Sequence, residues 1–139
     1  MSQITPNLFV GSLHESFDSD FLDANGITHI LNVAEEIDIV ERVGRTYRKI
    51  SITDDDMSAD INLILDQCME FITLAHGSKG VVMVHCLEGI SRSVCVCLAY
   101  VIKILEWDSA TALNDIRSFR NQIDPFPLYL EQTMKWTKK

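Results

Sequence analysis

Val81-Val82-Met83-Val84-His85-Cys86-Leu87-Glu88-Gly89-Ile90-Ser91-Arg92-Ser93 joins an apolar run to a cysteine, then, five residues on, to an arginine, a serine and a second apolar segment. Val81 to Val84 is short and rich in β-branched residues, the pattern of a buried strand. Ser91 to Leu105 contains no Pro or Gly and is long enough for a buried helix. The loop between them is short. Its backbone N–H groups must converge at a helix N-terminus, and converging N–H dipoles attract anions.

The residues of the loop suit phosphate chemistry. Cys86 faces those dipoles and the Arg92 guanidinium, and both favour a thiolate. Arg92 offers a planar fork that can bind two phosphoryl oxygens at once. Gly89 can take a positive φ, which a tight cradle needs. Leu87, Glu88, Ile90 and Ser91 complete the cradle. Ser93 is placed to hydrogen-bond the sulfur and improve it as a leaving group, and His85 to fix the Cys86 backbone through its ring. The plainer reading is a buried cysteine with an incidental arginine. Their spacing, with strand before and helix after, argues against it.

A thiolate that attacks phosphorus expels an alkoxide or phenoxide, which needs a proton; a carboxylic acid above the cradle can supply it and later activate water. The polar loop Thr53-Asp54-Asp55-Asp56-Met57-Ser58 carries the candidates.

His85-Cys86-x5-Arg92-Ser93 resembles the signature of the cysteine-based protein tyrosine phosphatases. Gly11, Asn32-Val33-Ala34, Ile50-x3-Asp54 and Ala99-Tyr100 resemble the dual-specificity branch, in the right order, from about Ile4 to Trp136. The resemblance implies a small atypical dual-specificity phosphatase, with residues 1–139 as one catalytic domain. It also implies hydrolysis of phosphotyrosine and phosphoserine or phosphothreonine in proteins through a phosphocysteine, with no cofactor and no metal. By the family pattern the acid follows the strand isoleucine by four residues, so Ile50 selects Asp54. Counting back from Ala59-Asp60-Ile61 selects Asp55 instead. Asp54 is preferred because strand geometry fixes its distance from the sheet. Relatives carry Pro-Asn and a Gly before Phe-x2-Gln; this chain has Pro125-Phe126-Pro127-Leu128-Tyr129-x2-Gln132. Phe126 stands where an Asn is thought to support the loop, which puts loop stiffness in question but not the nucleophile.

The remaining sequence is consistent with one α/β domain. The chain has 139 residues, enough for a single core, and its apolar content of 47% is ordinary for a globular protein. Strands are expected at Leu8–Val10, Ile27–Val33 and Tyr47–Ile52. Helices are expected at Phe17–Ala24, Ala59–Ala75, Ala110–Arg120 and Leu128–Trp136, with Ala112, Leu113, Ile116 and Phe119 facing inward. Glu35 to Gly44 reads as an irregular connection. The whole predicts a mixed or parallel sheet of four to five strands with helices on its faces.

Cys68, Cys95 and Cys97 read as buried hydrophobes or, alternatively, as thiols that trap oxidised Cys86. No spacing suggests zinc. The formal net charge of −8 argues against nucleic acid and against an anionic membrane surface. The absence of a spanning apolar stretch or secretory signal makes a cytosolic or nuclear location the expectation. Leu87, Glu88 and Ile90 add no positive charge to the cradle, which favours a phosphoprotein over a polyanionic lipid. Two other readings stay open: a phosphate-binding module without turnover, and a phosphatase for a lipid, an RNA 5′ end or a glycan. Oligomeric state is not legible.

Overall fold

Val82–His85 (β5) is the central strand of the sheet. A computed structural model describes residues 1–139. It places β5 between β2 (Leu8–Gly11) and β3 (His29–Ala34), with β1 (Ser2–Thr5) outside β2 and β4 (Thr46–Ile52) outside β3. β2, β5, β3 and β4 run parallel, and only β1 is antiparallel. Side chains alternate across the sheet as period two requires. Val10, Leu31, Val33, Val82 and Val84 point into the main core, whereas Phe9, Ile30 and Met83 join a smaller cluster with Leu22 and Ile27.

The main core is covered by α3 (Asn62–Gly77), α4 (Arg92–Lys103), α5 (Ala112–Phe119) and α6 (Pro127–Thr137). The other face receives Leu22 from α2 (Ser19–Ala24), which follows the short α1 (Leu13–Ser16). From Arg92 to Val101 every residue of α4 is buried, as its unbroken apolar sequence predicts. This is the expected α/β class, a five-stranded mixed sheet flanked by helices.

Several details differ from the sequence reading. The antiparallel β1 and the helix α1 are additional. α1 is closed by a capping box in which Ser12 Oγ accepts from Glu15 N and Glu15 Oε1 accepts from Ser12 N. α2 starts at Ser19, because the Asp18 side chain caps Phe21 N. α3 starts at Asn62, three residues late, because the Asp60 side chain accepts from Asn62 N and so keeps Asp60 ahead of the first helical turn. α5 is also shorter than predicted, and Phe119, expected inside, is 52% exposed in its last turn.

In parallel sheets, binding sites gather where strands end at their carboxyl edge. Here β2 delivers Ser12 to Glu15, β3 delivers Glu35 and Glu36, β4 delivers Thr53 to Asp56, and β5 delivers Cys86.

Candidate active site

The loop from Cys86 to Ser91 is held by its carbonyls. His85 Nδ1–H donates to Cys86 O at 3.1 Å, and burial lowers the pKa of the ring, which keeps it neutral for that bond. Leu87 O accepts from Leu13 N at 3.0 Å, Ile90 O from Asp124 N at 2.8 Å and Ser91 O from Cys95 N at 3.0 Å. Glu88 O and Gly89 O both accept from Arg120, at 3.3 Å through Nη2 and 2.8 Å through Nε. Six successive carbonyls are thus bound outside the cradle. The N–H groups of Leu87, Glu88, Gly89, Ile90 and Ser91 find no acceptor in the protein. Such a run of free N–H groups at a helix N-terminus is an anion nest.

Gly89 adopts φ +70°, the conformation expected of it. A Cβ there would lie 2.5 Å from Gly11 O and 2.7 Å from Arg120 Nη2, so both backbone angle and close packing demand glycine. Cys86 Sγ lies 3.2 Å from Ser93 Oγ, within reach of the hydroxyl hydrogen bond predicted for Ser93.

Arg92 is 3% exposed and firmly oriented. Nη1 and Nη2 donate to the two carboxylate oxygens of Glu36 at 2.6 and 2.7 Å, and Nη1 also donates to Ile52 O at 3.1 Å. Of five guanidinium hydrogens, the Nε–H and one on Nη2 remain. They lie parallel on one edge, the geometry that grips two phosphoryl oxygens. Asp54 Oδ1 stands 3.7 Å from Nε, on that edge. The Arg92 hydrogen bonds hold the Glu36 carboxyl at about 2, well below the usual carboxylate range.

Asp54 and Asp55 both border the cleft above Cys86 and Arg92. Asp55 takes φ +44°. Loss of solvation, then the Asp54 charge and a hydrogen bond to Asp54, push the Asp55 carboxyl up. Asp56 faces elsewhere, accepting from Ser58 N and Oγ at 2.9 and 2.7 Å. The loop is anchored from α6. Fully buried Tyr129 donates its hydroxyl to Thr53 O and accepts from Asp56 N at 3.2 Å, while Gln132 binds Ile61 N and Ala59 O, each at 2.8 Å.

Leu87, Glu88, Ile90 and Ser91 line the cleft, and Leu87 is 44% exposed. The departure at Phe126 has a counterpart in the structure: Phe126 N donates to Ser91 Oγ at 2.8 Å, and the ring packs edge-on to Tyr129 with centroids 4.9 Å apart. The loop is therefore braced without an Asn. Cys68, Cys95 and Cys97 are wholly buried; burial pushes Cys68 and Cys95 up to about 12 and Cys97 higher still. Protonated thiols are poor nucleophiles toward an oxidised Cys86. Glu36 and Arg120 carry no signal in the sequence, and Tyr129 and Gln132 stand in it only as positions of a family motif, with no role attached. Only the Ser12-x-x-Glu15 capping box behind the loop had a local signal.

The family model for the dual specificity phosphatase catalytic domain matches residues 8–139. Dual specificity protein phosphatase 1B of Arabidopsis thaliana is 35% identical over 99% of this chain and 82% of its own. The crystal structure of human DUSP28 superposes with a TM-score of 0.91 at 25% identity, covering 99% of this chain and 96% of that one. A human tyrosine phosphatase-like serine/threonine/tyrosine-interacting protein superposes at 0.88 with 26% identity, covering 99% and 95%.

Proposed function

Because this chain belongs to the dual-specificity phosphatase family, we propose that it removes phosphate from phosphotyrosine and from phosphoserine or phosphothreonine in proteins, through a phosphocysteine on Cys86. The observation that carries this reading is the nest of five acceptor-free N–H groups around Cys86, completed by the open edge of Arg92.

The phosphoryl oxygens sit among those N–H groups, and Arg92 takes two of them through Nε and Nη2. Cys86 Sγ attacks phosphorus in line with the ester oxygen. The P–S bond forms as the P–O bond breaks, and the leaving oxygen receives a proton from Asp54, with Asp55 as the alternative acid. The same carboxylate then takes a proton from water as that water attacks phosphorus. The S–P bond breaks, and the Ser93 hydroxyl stabilises the departing thiolate. The preorganised N–H dipoles favour the charge that builds on the equatorial oxygens.

The fold alone does not decide turnover, since a phosphatase-like interacting protein shares it. Acid quenching during turnover, followed by mass spectrometry, is expected to find phosphate on the peptide containing Cys86. Cys86→Ser is expected to abolish hydrolysis and keep phosphate binding. Turnover near wild type in Cys86→Ser would move the nucleophile elsewhere. Binding without turnover in the unaltered protein would make it a phosphate-binding module.

A further inference from the structure

Phosphate chemistry accounts for the floor of the cleft but not for its rim. The cleft has a volume of about 460 Å³, and around its mouth stand Asp54, Asp55, Glu88 and Asp124 beside Leu87 and Phe126. All four carboxylate residues are exposed. Asp55 and Asp124 come from loops on different elements, yet Asp55 feels the charge of Asp124. Among the lining residues Arg92 is the sole cation, and it is buried with one edge given to Glu36. A carboxylate cluster alone would mean little. Here it surrounds a floor that already selects an anion, so any ligand seated on that floor must pass the rim.

The other buried arginine serves a different purpose. Arg120 is 5% exposed and lies behind the loop, spending its Nε and Nη2 hydrogens on Gly89 O, Glu88 O and Glu15. It offers no pocket for a second phosphate. A flanking side chain of a bound phosphopeptide lies about 3.5–7 Å along the chain from the phosphoresidue, well inside the Debye length of about 8 Å. Its charge therefore registers against the rim.

Taking hydrolysis at Cys86 as the premise, we infer that the preferred substrates are singly phosphorylated protein segments whose phosphoresidue is flanked by Lys or Arg. Flanking Asp or Glu, or a second phosphate nearby, is rejected. The dianion is held deep by dipoles and Arg92, while the basic flanks meet Glu88, Asp124 and whichever of Asp54 and Asp55 does not serve as the acid. Complementary rims of this kind act mainly on capture and specificity.

The test uses four phosphotyrosine peptides of equal length, with Lys/Arg, Ala or Glu flanks, or with a second phosphoresidue. A small aryl phosphate serves as reference. kcat/KM is expected to rank basic, neutral, acidic and doubly phosphorylated, with at least roughly tenfold between basic and acidic at low salt. The ratio is expected to shrink several-fold in about 0.5 M salt. The double change Glu88→Gln with Asp124→Asn is expected to compress it, whatever happens to absolute rates. A flat ratio, or faster turnover of the acidic peptide, the doubly phosphorylated peptide or phosphoinositide vesicles, overturns the inference while aryl phosphate hydrolysis keeps the catalytic reading. If nothing is hydrolysed, titrating the same peptides into Cys86→Ser decides: tighter binding of the basic peptide upholds the inference without the catalysis, and equal binding overturns both.

Discussion

Two loops at the carboxyl edge of one sheet are built in opposite ways. Between Cys86 and Ser91 every carbonyl is bound, and α1, α4, Arg120 just after α5 and the approach to α6 all contribute. Between Thr53 and Ser58 the chain is tied at few points, by Glu35 at Thr53 Oγ1 and by Tyr129 at Thr53 O and Asp56 N, with Gln132 holding Ala59 and Ile61 just beyond it, and Asp54 is 58% exposed. The difference matches what each does in the proposed reaction. Charge on a phosphoryl group is stabilised by dipoles that need not reorganise, which calls for a rigid cradle. A proton donor must serve leaving groups of varied shape, which a tethered but open arm allows.

The comparison breaks most sharply at Arg92. Arg92→Lys keeps the charge but loses the parallel pair of hydrogens and the pairing with both oxygens of Glu36. We expect kcat/KM to fall by about 10³-fold or more. Steady-state kinetics with an aryl phosphate checks this, and activity within a few-fold of wild type would mean that Arg92 does not hold the phosphoryl group. The clamp on Arg92 should not shape the pH profile. With the Glu36 carboxyl lowered from 4.5 to about 2, its ionised form is fully present above about pH 5 and is lost only as pH falls through about 2. The acid limb of the pH–rate profile is therefore expected to be unchanged in Glu36→Gln, whose loss should be a raised KM.

The open loop is tested at its carboxylates. Asp54→Asn is expected to slow phosphotyrosine peptides by about 10²-fold and activated aryl phosphates much less, because a good leaving group barely needs the proton. The basic limb of the pH–rate profile should flatten in the same variant. Asp55→Asn is the control. Asp54 borders the open edge of Arg92, whereas Asp55 has the raised carboxyl. The two carboxyls are adjacent and the Asp54 charge acts on Asp55, so leaving-group dependence decides between them better than the raised Asp55 carboxyl does. If Asp55→Asn alone shows that dependence, the acid is Asp55.

The cradle was legible in sequence because its parts are contiguous. A strand, a cysteine, five residues, an arginine and a buried helix leave little freedom, and Gly89 and Ser93 fell where that reading put them. Its supports were not legible. Glu36 reaches Arg92 across 56 positions and Arg120 reaches Gly89 across 31, and no local pattern distinguishes either from a solvated charge. The acid loop was half legible: β4 fixes where it starts, but distant residues, Tyr129 at 76 positions from Thr53 among them, decide how it is held. Phe119 misled because helical periodicity was extended to the end of α5, where the last turn leaves the core.

Arg120 tests the rigid side without touching a reacting atom. Arg120→Met removes the donors to Glu88 O and Gly89 O and leaves Glu15 without that partner. A loss of about 3 kcal/mol in stability is expected, read as a lower denaturation midpoint. Under folding conditions the remaining defect should be about tenfold, carried by weaker phosphate binding. A higher inhibition constant for inorganic phosphate, with unchanged leaving-group dependence, is the signature of a loosened cradle. An unchanged phosphate constant would make Arg120 a structural residue only.

The smallest expected effect belongs to Tyr129, and it completes the contrast. Tyr129→Phe keeps the buried ring and its edge-on packing with Phe126 and deletes only the hydroxyl that links Thr53 O to Asp56 N. The cost in stability should be about 1 kcal/mol. The Gln132 bonds at Ala59 and Ile61 remain, so the loop is loosened at one end rather than freed. A few-fold drop in kcat is expected with phosphotyrosine peptides, because the acid spends less time in register with the leaving oxygen. Activated aryl phosphates should show almost none, and the inhibition constant for phosphate should not move. That pattern is the inverse of the one expected for Arg120→Met. If Tyr129→Phe instead weakens phosphate binding and slows both substrate types equally, the two loops are one mechanical unit, and the rigid cradle depends on the arm above it.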